Sequence, residues 1–167
     1  MFDFIKYAQI INLGGSIMPR VTLKEQPSYE FHYPMKVQVR DLNYAGHLGN
    51  DVLIGILQDA RANLLNDLGC KELDLGDGKT GIIIGDLAIN FKSEGFLFDE
   101  LQVDSHIDEF TEKSFRIYYR IINVKNNSII ALAETGLIAF DYNTREVTKV
   151  PEILKRTLDQ YIQTQEK

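Results

Sequence analysis

The segment from Arg40 to Asp51 contains the closest grouping of residues in this sequence that could do chemistry. Asn43, His47 and Asn50 stand there among turn-forming glycines. A histidine takes up or releases a proton near neutral pH, and the first amides of a helix favour negative charge. We therefore expect a chemical site, if the protein has one, to lie in this segment.

The residues on both sides of the segment predict the elements that must hold it. From Tyr33 to Val39 apolar and polar residues alternate, which indicates a half-buried strand with Val39 on its apolar side. After the segment, apolar residues recur at three- and four-residue steps, which predicts a helix of about five turns. Asn50 or Asp51 is expected to cap its start, and Gly69 suits its end. The apolar positions are Val52, Leu53, Ile56, Leu57, Ala60, Leu64 and Leu68, widened by Ile54, Ala62 and Leu65. Because this stripe is wide, we expect the helix to be enclosed on several sides.

The rest of the chain predicts a sheet. Four strand-like runs follow at 80–92, 100–110, 114–125 and 128–142, with a hairpin turn at 125–128. A short run to Val150 adds an edge strand, and Pro151 begins a final helix. One buried helix against a large antiparallel sheet is an α+β arrangement.

Composition narrows the class of protein. The 167 residues are 44% hydrophobic and 25% charged, which suits one globular domain. The net charge of −6 argues against a phosphate-backbone partner, so we expect no nucleic-acid binding. The single cysteine, Cys70, is expected to be structural and fits a reducing, cytoplasmic location. No apolar run reaches the roughly 18 residues of a membrane span.

The N-terminal part is interpreted as an extension. Residues 1–32 are expected to be partly irregular, and residues 33–167 to form the domain together with a C-terminal helix. Ile5, Ala8 and Ile11 allow a short amphipathic helix near the start. Polar residues interrupt this run and no basic opening precedes it, so we predict no secretion signal.

These motifs resemble a known family. The residues from Asp41 to Asn50, entering a helix with Ala60-Arg61, resemble the hotdog-fold acyl-CoA thioesterases, chiefly the 4-hydroxybenzoyl-CoA thioesterase-like proteins. The plant acyl-ACP thioesterases are more distantly similar. The run Ile89-Asn90-Phe91 and the ending from Phe140 to Pro151 fit too, and the similarity covers about residues 33–155.

The resemblance implies a hotdog fold, in which a five- to six-stranded antiparallel sheet wraps a long central helix. It also implies hydrolysis of acyl-CoA or acyl-carrier-protein thioesters without a metal or a separate cofactor, coenzyme A being part of the substrate. Such proteins assemble as homodimers or homotetramers, with sites between subunits.

The implied chemistry suits the start of the helix. A thioester carbonyl needs a donor where negative charge develops, and a helix N-terminus supplies free amides. By resemblance, the backbone N–H near Asn50 is that donor. Gly49 and Asp51 are expected to contact the substrate beside it.

Two positions depart from the patterns of these families. In the 4-hydroxybenzoyl-CoA type, an aspartate stands four residues before the position of His47, and this sequence has Asn43 there. The plant-type histidine and glutamate are matched by His47 and Glu94, but the asparagine of that pattern is Ala45 here. We therefore predict catalytic roles for Asn43, His47, Asn50 and Glu94. The His/Glu pair would deprotonate water, and Asn43 would position the water or the carbonyl.

The sequence leaves the roles of two further carboxylates open. Asp86 lies in an apolar run, where a carboxylate is costly unless it is paired. It is expected to contact the substrate as a displaced base that reaches from the facing subunit, or to be a buried partner of an arginine such as Arg61. Asp59, in the helix, is either a displaced base or a surface partner of nearby cations. Three basic residues are candidates to bind the phosphates of coenzyme A: Lys113, Arg116 and Arg120. The alternative is that they only form a solvated face of a strand.

These observations give a first hypothesis of an acyl-CoA hydrolase that releases a carboxylic acid and coenzyme A. The alternative is a hotdog protein that binds acyl thioesters without hydrolysing them, motivated by Asn43 and Ala45. A dehydratase or a structural subunit is a weaker third interpretation, because no matching motif surrounds the histidine.

Overall fold

The computed structural model describes residues 21–165, so the helix predicted near Ile5 lies outside the described residues. Six strands form one antiparallel sheet in the order β1-β3-β4-β5-β2, and the short β6 pairs with the end of β5. The strands are β1 (Phe31–Lys36), β2 (Thr80–Phe91), β3 (Glu100–Asp108), β4 (Ser114–Asn123), β5 (Ile129–Asp141) and β6 (Glu146–Val147). The helices are α1 (Asn50–Asp67) and α2 (Glu152–Gln165). This confirms the predicted α+β class and the predicted order of elements.

The first strand ends earlier than its alternation suggests. After Lys36 the chain turns into a single 3-10 turn, Val39–Asp41, in which the Gln38 N–H donates to Asp41 Oδ2 (2.7 Å). Val37 is buried as predicted, whereas Val39 is 71% exposed. The predicted burial of Val39 is therefore wrong, because the turn held by Asp41 replaces the last residues of the strand.

The long helix packs one face on the sheet. Leu53, Leu57 and Leu64 are each about 1% exposed and lie in the core between α1 and the sheet. Ile54 is 48% exposed and Ala62 is also exposed, so enclosure on several sides is wrong for the single chain. The physical reason is that the sheet covers only one side of the helix.

The two ends of α1 differ from each other. Gly49 occupies the N-cap position without any side-chain cap, so Asn50 and Asp51 are helical residues and the prediction that one of them caps the helix is wrong. At the other end Gly69 has a φ of 68°, and its N–H donates to the Asn66 carbonyl (2.9 Å). This left-handed conformation favours glycine and ends the helix as predicted.

Several polar groups are buried in the core. Arg61 is 4% exposed, and its Nε donates to Glu72 Oε1 (2.7 Å). Burial raises the pKa of the neighbouring Tyr119 to about 12. Cys70 is buried, and burial raises the pKa of its thiol, which agrees with a structural role.

Residues 21–30, here called the N-terminal strap, cross the sheet face that points away from α1. They have no regular structure, as predicted. Glu25 binds Arg120 of β4 (2.8 Å), Glu30 binds His106 of β3 (2.7 Å), and the Leu23 N–H donates to Asn90 of β2 (2.9 Å). Across residues 21–165, neither helix is both long and apolar enough to span a membrane.

Candidate active site

The loop between the 3-10 turn and α1 is closed by its own backbone. The Asn43 N–H donates to the His47 carbonyl (2.9 Å), and the Gly46 N–H donates to the Asn43 carbonyl (3.0 Å). Gly46 has a φ of 83°, which a residue with a side chain adopts only with strain. The Gly49 N–H donates back to the Asp41 carbonyl (2.9 Å) and fixes the entry into the helix. This closed loop brings the side chains of Asn43 and His47 together, with Asn43 Nδ2 3.2 Å from His47 Nδ1.

A second contact joins this loop to the segment after β2. The Leu48 N–H donates to the Gly95 carbonyl (2.8 Å), and the Leu48 side chain is buried in the core. His47 therefore faces Glu94, with 3.9 Å between Nε2 and Oε1. Both side chains are about one-third exposed, at 33% and 35%. The distance is longer than a hydrogen bond, so both groups remain free to contact a third partner.

The start of α1 supplies an unused donor. The first intrahelical bond runs from the Leu53 N–H to the Gly49 carbonyl (3.2 Å). The Asn50 amide precedes that ladder, and within residues 21–165 it has no hydrogen-bond acceptor. An amide at this end of a helix stabilises negative charge through both its N–H and the helix dipole.

These groups open into one pocket of about 260 Å³. Leu53, Phe91 and Ile130 supply apolar surface, while Asn43, His47 and Glu94 supply polar groups. Apolar walls with a few convergent polar groups are typical of small-molecule sites. The arrangement can hold a carbonyl oxygen at the helix start, next to two titratable side chains.

The structure brings together most of the residues predicted for the site. Asn43, His47, Gly49, Asn50 and Glu94 all line the pocket. Asp51 does not line it, although it lies in the first turn of α1 and is exposed. Contact between Asp51 and a substrate therefore stays a prediction.

Within the single chain, Asp86 lies away from this pocket, and its contact with a substrate from a facing subunit stays a prediction. Its carboxylate pairs with both terminal nitrogens of Arg116 (2.6 and 3.2 Å), and its side chain is 56% exposed. Arg116 lowers the pKa of Asp86 by this hydrogen bonding. The predicted buried pair with Arg61 is wrong, since Arg61 binds Glu72 instead. The register shift between Ile84 and Asp86 explains the difference, because one extra residue turns Asp86 to the outer face of the sheet.

Asp59 and the three basic residues considered for phosphate binding also lie apart from the pocket. Asp59 is exposed on α1 and is not among the pocket residues. Arg116 also contacts Glu109 and Glu134, while Arg120 is held by Asp104 and Glu25. Both arginines are thus already paired with carboxylates, which leaves them poorly suited to bind the phosphates of coenzyme A. Lys113 is exposed.

The sequence did not single out some pocket residues. Ser93 lies beside Glu94, and its hydroxyl donates to the Ile129 carbonyl (2.7 Å). Ile130 reaches the pocket from the start of β5. Phe91 is the last residue of the Ile89-Asn90-Phe91 run, so its place on the strand was a usable signal. For Ile130 there was none, because only the pairing of β2 with β5 brings it there.

The helix begins in a closed loop and packs on one antiparallel sheet, with a pocket at its start. A family model described as the thioesterase-like superfamily matches residues 37–158. The chain belongs to this superfamily, which confirms the resemblance inferred from the segment around His47. No protein in a search of curated proteins matches significantly.

Solved structures share the fold at low identity. A 1,4-dihydroxy-2-naphthoyl-CoA thioesterase from Synechocystis is 18% identical, with a TM-score of 0.69, covering 76% of this chain and 93% of that one. A gentisyl-coenzyme A thioesterase is 21% identical, with a TM-score of 0.66, covering 75% and 98%. A Staphylococcus aureus protein solved in complex with CoA is 14% identical, with a TM-score of 0.71, covering 78% and 82%. The chain therefore has the hotdog fold predicted from its sequence.

Proposed function

We propose that this protein is an acyl-CoA hydrolase that releases a carboxylic acid and coenzyme A. One observation carries the proposal: the unused Asn50 amide, His47 and Glu94 meet at one pocket with apolar walls. Membership of the thioesterase-like superfamily supports this activity class. The apolar walls would hold the acyl group, and the polar end would hold the thioester.

The reaction follows from these positions. The thioester oxygen accepts a hydrogen bond from the Asn50 N–H, where negative charge develops as water attacks the carbonyl carbon. The His47/Glu94 pair takes the proton of that water. Collapse of the tetrahedral intermediate breaks the carbon–sulfur bond, and the thiolate of coenzyme A leaves and is protonated.

The leaving group is proposed to be coenzyme A or the related arm of an acyl carrier protein. The similarly folded protein solved with CoA supports this class of ligand. No metal or separate cofactor takes part in the proposed steps, and a cytoplasmic location agrees with the unpaired Cys70.

We also propose that the protein is a homodimer, in which the free edge of β2 pairs with that of a second copy; a homotetramer would add a further interface. The Lys92 N–H donates to the carbonyl of Ile130, which belongs to β5. Amides alternate sides along an antiparallel strand, so those of Leu87, Ile89 and Phe91 point away from β5. Leu87 and Phe91 are 37% and 45% exposed at this edge. No other strand within residues 21–165 pairs with this edge. An unpaired apolar edge of this kind favours pairing with another strand.

A second candidate function is binding of acyl thioesters without hydrolysis. Asn43 favours it, because an amide stands where the 4-hydroxybenzoyl-CoA type has a carboxylate. In this case the pocket would retain the acyl-CoA and release no thiol.

Thiol release from a panel of aliphatic and aryl acyl-CoAs, followed with a thiol reagent, tests the first function. We expect turnover by the natural protein, unchanged by EDTA. His47→Ala and Glu94→Gln should each lower kcat by about 10²-fold or more, the usual contribution of acid–base groups. Glu146→Gln makes the same carboxylate-to-carboxamide change at an exposed residue of β6. It is the matched control and should keep full activity.

The two functions predict different outcomes. Binding of acyl-CoA with no thiol release from any member of the panel would reject hydrolysis and favour the binding function. Turnover that survives both His47→Ala and Glu94→Gln would reject this pocket as the catalytic site.

A further inference from the structure

We infer that Asn43 fixes neutral His47 as the tautomer protonated at Nε2, so that His47 donates a hydrogen bond into the pocket and Glu94 is the base. The assignment of roles rests on the proposed hydrolysis. The tautomer itself follows from two contacts of Asn43, and it reverses the roles expected from the sequence.

The first contact sets the orientation of the Asn43 amide. The Ala45 backbone N–H lies 2.8 Å from the Asn43 side chain and donates to Oδ1. A backbone amide only donates, so the atom that faces Ala45 must be the oxygen. The amide nitrogen of Asn43 therefore points the other way, toward His47.

The second contact sets the proton on the imidazole. Asn43 Nδ2 lies 3.2 Å from His47 Nδ1. Because an amide nitrogen is only a donor, Nδ1 must offer a lone pair. A neutral imidazole carries one proton, which is then on Nε2. The backbone hydrogen bond from the Asn43 N–H to the His47 carbonyl holds the two side chains in this relation.

A histidine in this state cannot take a proton at Nε2, because that nitrogen already carries one. It can instead donate to the thioester oxygen, as a second donor beside the Asn50 amide. The remaining acceptor among the titratable pocket groups is the Glu94 carboxylate, which faces the same opening 3.9 Å from Nε2. His47 and Glu94 would thus act as donor and base.

Glu94 takes a proton from water as the water oxygen bonds to the carbonyl carbon, and the resulting oxyanion is held by the Asn50 N–H and His47 Nε2–H. When the oxyanion collapses, the carbon–sulfur bond breaks, and protonated Glu94 returns its proton to the departing thiolate. The products are the carboxylic acid and coenzyme A.

Asn43→Asp tests the arrangement with almost no change in shape. One carboxylate oxygen still accepts from the Ala45 N–H, while the other requires a proton on His47 Nδ1. The neutral ring then has an unprotonated Nε2 and becomes competent as a base. The reverse exchange in a Ser-His-Asp triad gives the wrong tautomer and lowers kcat about 10⁴-fold.

The first readout is NMR of protein with ¹⁵N-labelled histidine, with the His47 signals assigned by their loss in His47→Gln. We expect the natural protein to show a protonated, pyrrole-type Nε2 and an unprotonated, pyridine-type Nδ1. Asn43→Asp should show a protonated Nδ1, and the control Asn66→Asp, which adds the same charge on the exposed face of α1, should not. A proton on Nδ1 in the neutral ring of the natural protein would overturn the inference.

The second readout is kinetic. Glu94→Gln should lose at least about 10²-fold in kcat, and adding Asn43→Asp should restore at least about tenfold by making His47 the base. Full activity of Glu94→Gln would overturn the role of Glu94 as the base. An unrestored double variant whose Nδ1 is protonated would overturn the inference that the tautomer decides whether His47 can act as a base. Failure of the natural protein to hydrolyse any acyl-CoA would reject the proposed function, whereas the tautomer is decided by NMR alone.

Discussion

At the scale of single residues, Asn43 is informative because its two side-chain atoms have different partners. Its oxygen accepts from Ala45, and its nitrogen reaches His47. An aspartate at this position would accept in both directions. The departure from the family pattern is therefore a change in hydrogen-bond polarity more than a change in shape.

A second residue-scale feature is the buried carboxylate of Asp104 on the outer face of the sheet. Its side chain is 1% exposed and accepts hydrogen bonds from Arg120 (2.8 and 3.1 Å), Gln102 (2.7 Å) and His32 (2.7 Å). Burial by itself would raise the pKa of Asp104, but these hydrogen bonds outweigh it and the pKa is lowered. The charged form is therefore favoured by folding.

Asp104→Asn should lower the free energy of unfolding by about 3 kcal/mol at pH 7, the usual cost of breaking a buried ion pair. Because folding lowers the pKa of Asp104, its carboxylate contributes its full stabilisation of the folded protein at pH values above the unfolded pKa of about 3.9. That stabilisation is lost as the pH falls through the folded value. Urea unfolding between pH 2 and about 7 should thus show a smaller acid-dependent loss in the variant than in the natural protein.

Asp108→Asn is the matched control, since that carboxylate lies on the same strand and its side chain is 67% exposed. We expect it to change stability by less than about 0.5 kcal/mol. Equal effects of the two variants would contradict the special contribution of Asp104.

At the scale of elements, Asn90 binds the N-terminal end of the N-terminal strap. The Asn90 side chain accepts from the Leu23 N–H (2.9 Å) and donates to the Val21 carbonyl (2.9 Å). The one side-chain amide thus satisfies both a backbone donor and a backbone acceptor of the strap, as the backbone of a neighbouring strand would. They hold the strap across the sheet to the β2 edge.

Asn90→Ala should release this end of the strap and expose the Lys24–Glu25 bond to trypsin. Two hydrogen bonds of about 1 kcal/mol each predict cleavage at least about fivefold faster. Mass spectrometry of timed digests measures the rate at this bond. Asn66→Ala, on the exposed side of α1, controls for an effect on cleavage that any Asn→Ala exchange would have. Equal cleavage rates in the two variants would contradict the proposal that Asn90 holds the strap.

At the scale of the whole molecule, the free β2 edge and the exposed Ile54 on α1 are surfaces that a second copy could cover. The start of the edge is already occupied, because the Ile82 N–H donates to the Glu72 carbonyl (2.8 Å). Beyond the register shift, the amides of Leu87, Ile89 and Phe91 have no hydrogen-bond acceptor within residues 21–165. A two-fold pairing of these edges would continue the sheet through both copies.

Leu87→Pro should convert the proposed dimer to a monomer. Proline removes an amide that points to the free edge, and edge positions tolerate it without loss of the β5 ladder. Light scattering coupled to size exclusion gives the mass directly. Leu87→Ala keeps the amide and should remain dimeric, and a monomeric natural protein would reject the edge pairing.

The sequence by itself determined the order of the strands and helices and the family of this protein. Alternation in β4 and the three- and four-residue steps in α1 depend on neighbours along the chain, so they can be read without the fold. The turn around Gly46 and the helix end at Gly69 are equally local.

Only the tertiary structure decided which groups share a site. Glu94 meets His47 because the Leu48 amide binds Gly95, and Ile130 joins them through the pairing of β5 with β2. Within the single chain, Asp86 lies away from the pocket because one extra residue in β2 turns it outward. The orientation of the Asn43 amide likewise depends on which atom meets Ala45. Such contacts are set by three-dimensional packing and hydrogen-bond direction, which residue types and spacing do not specify.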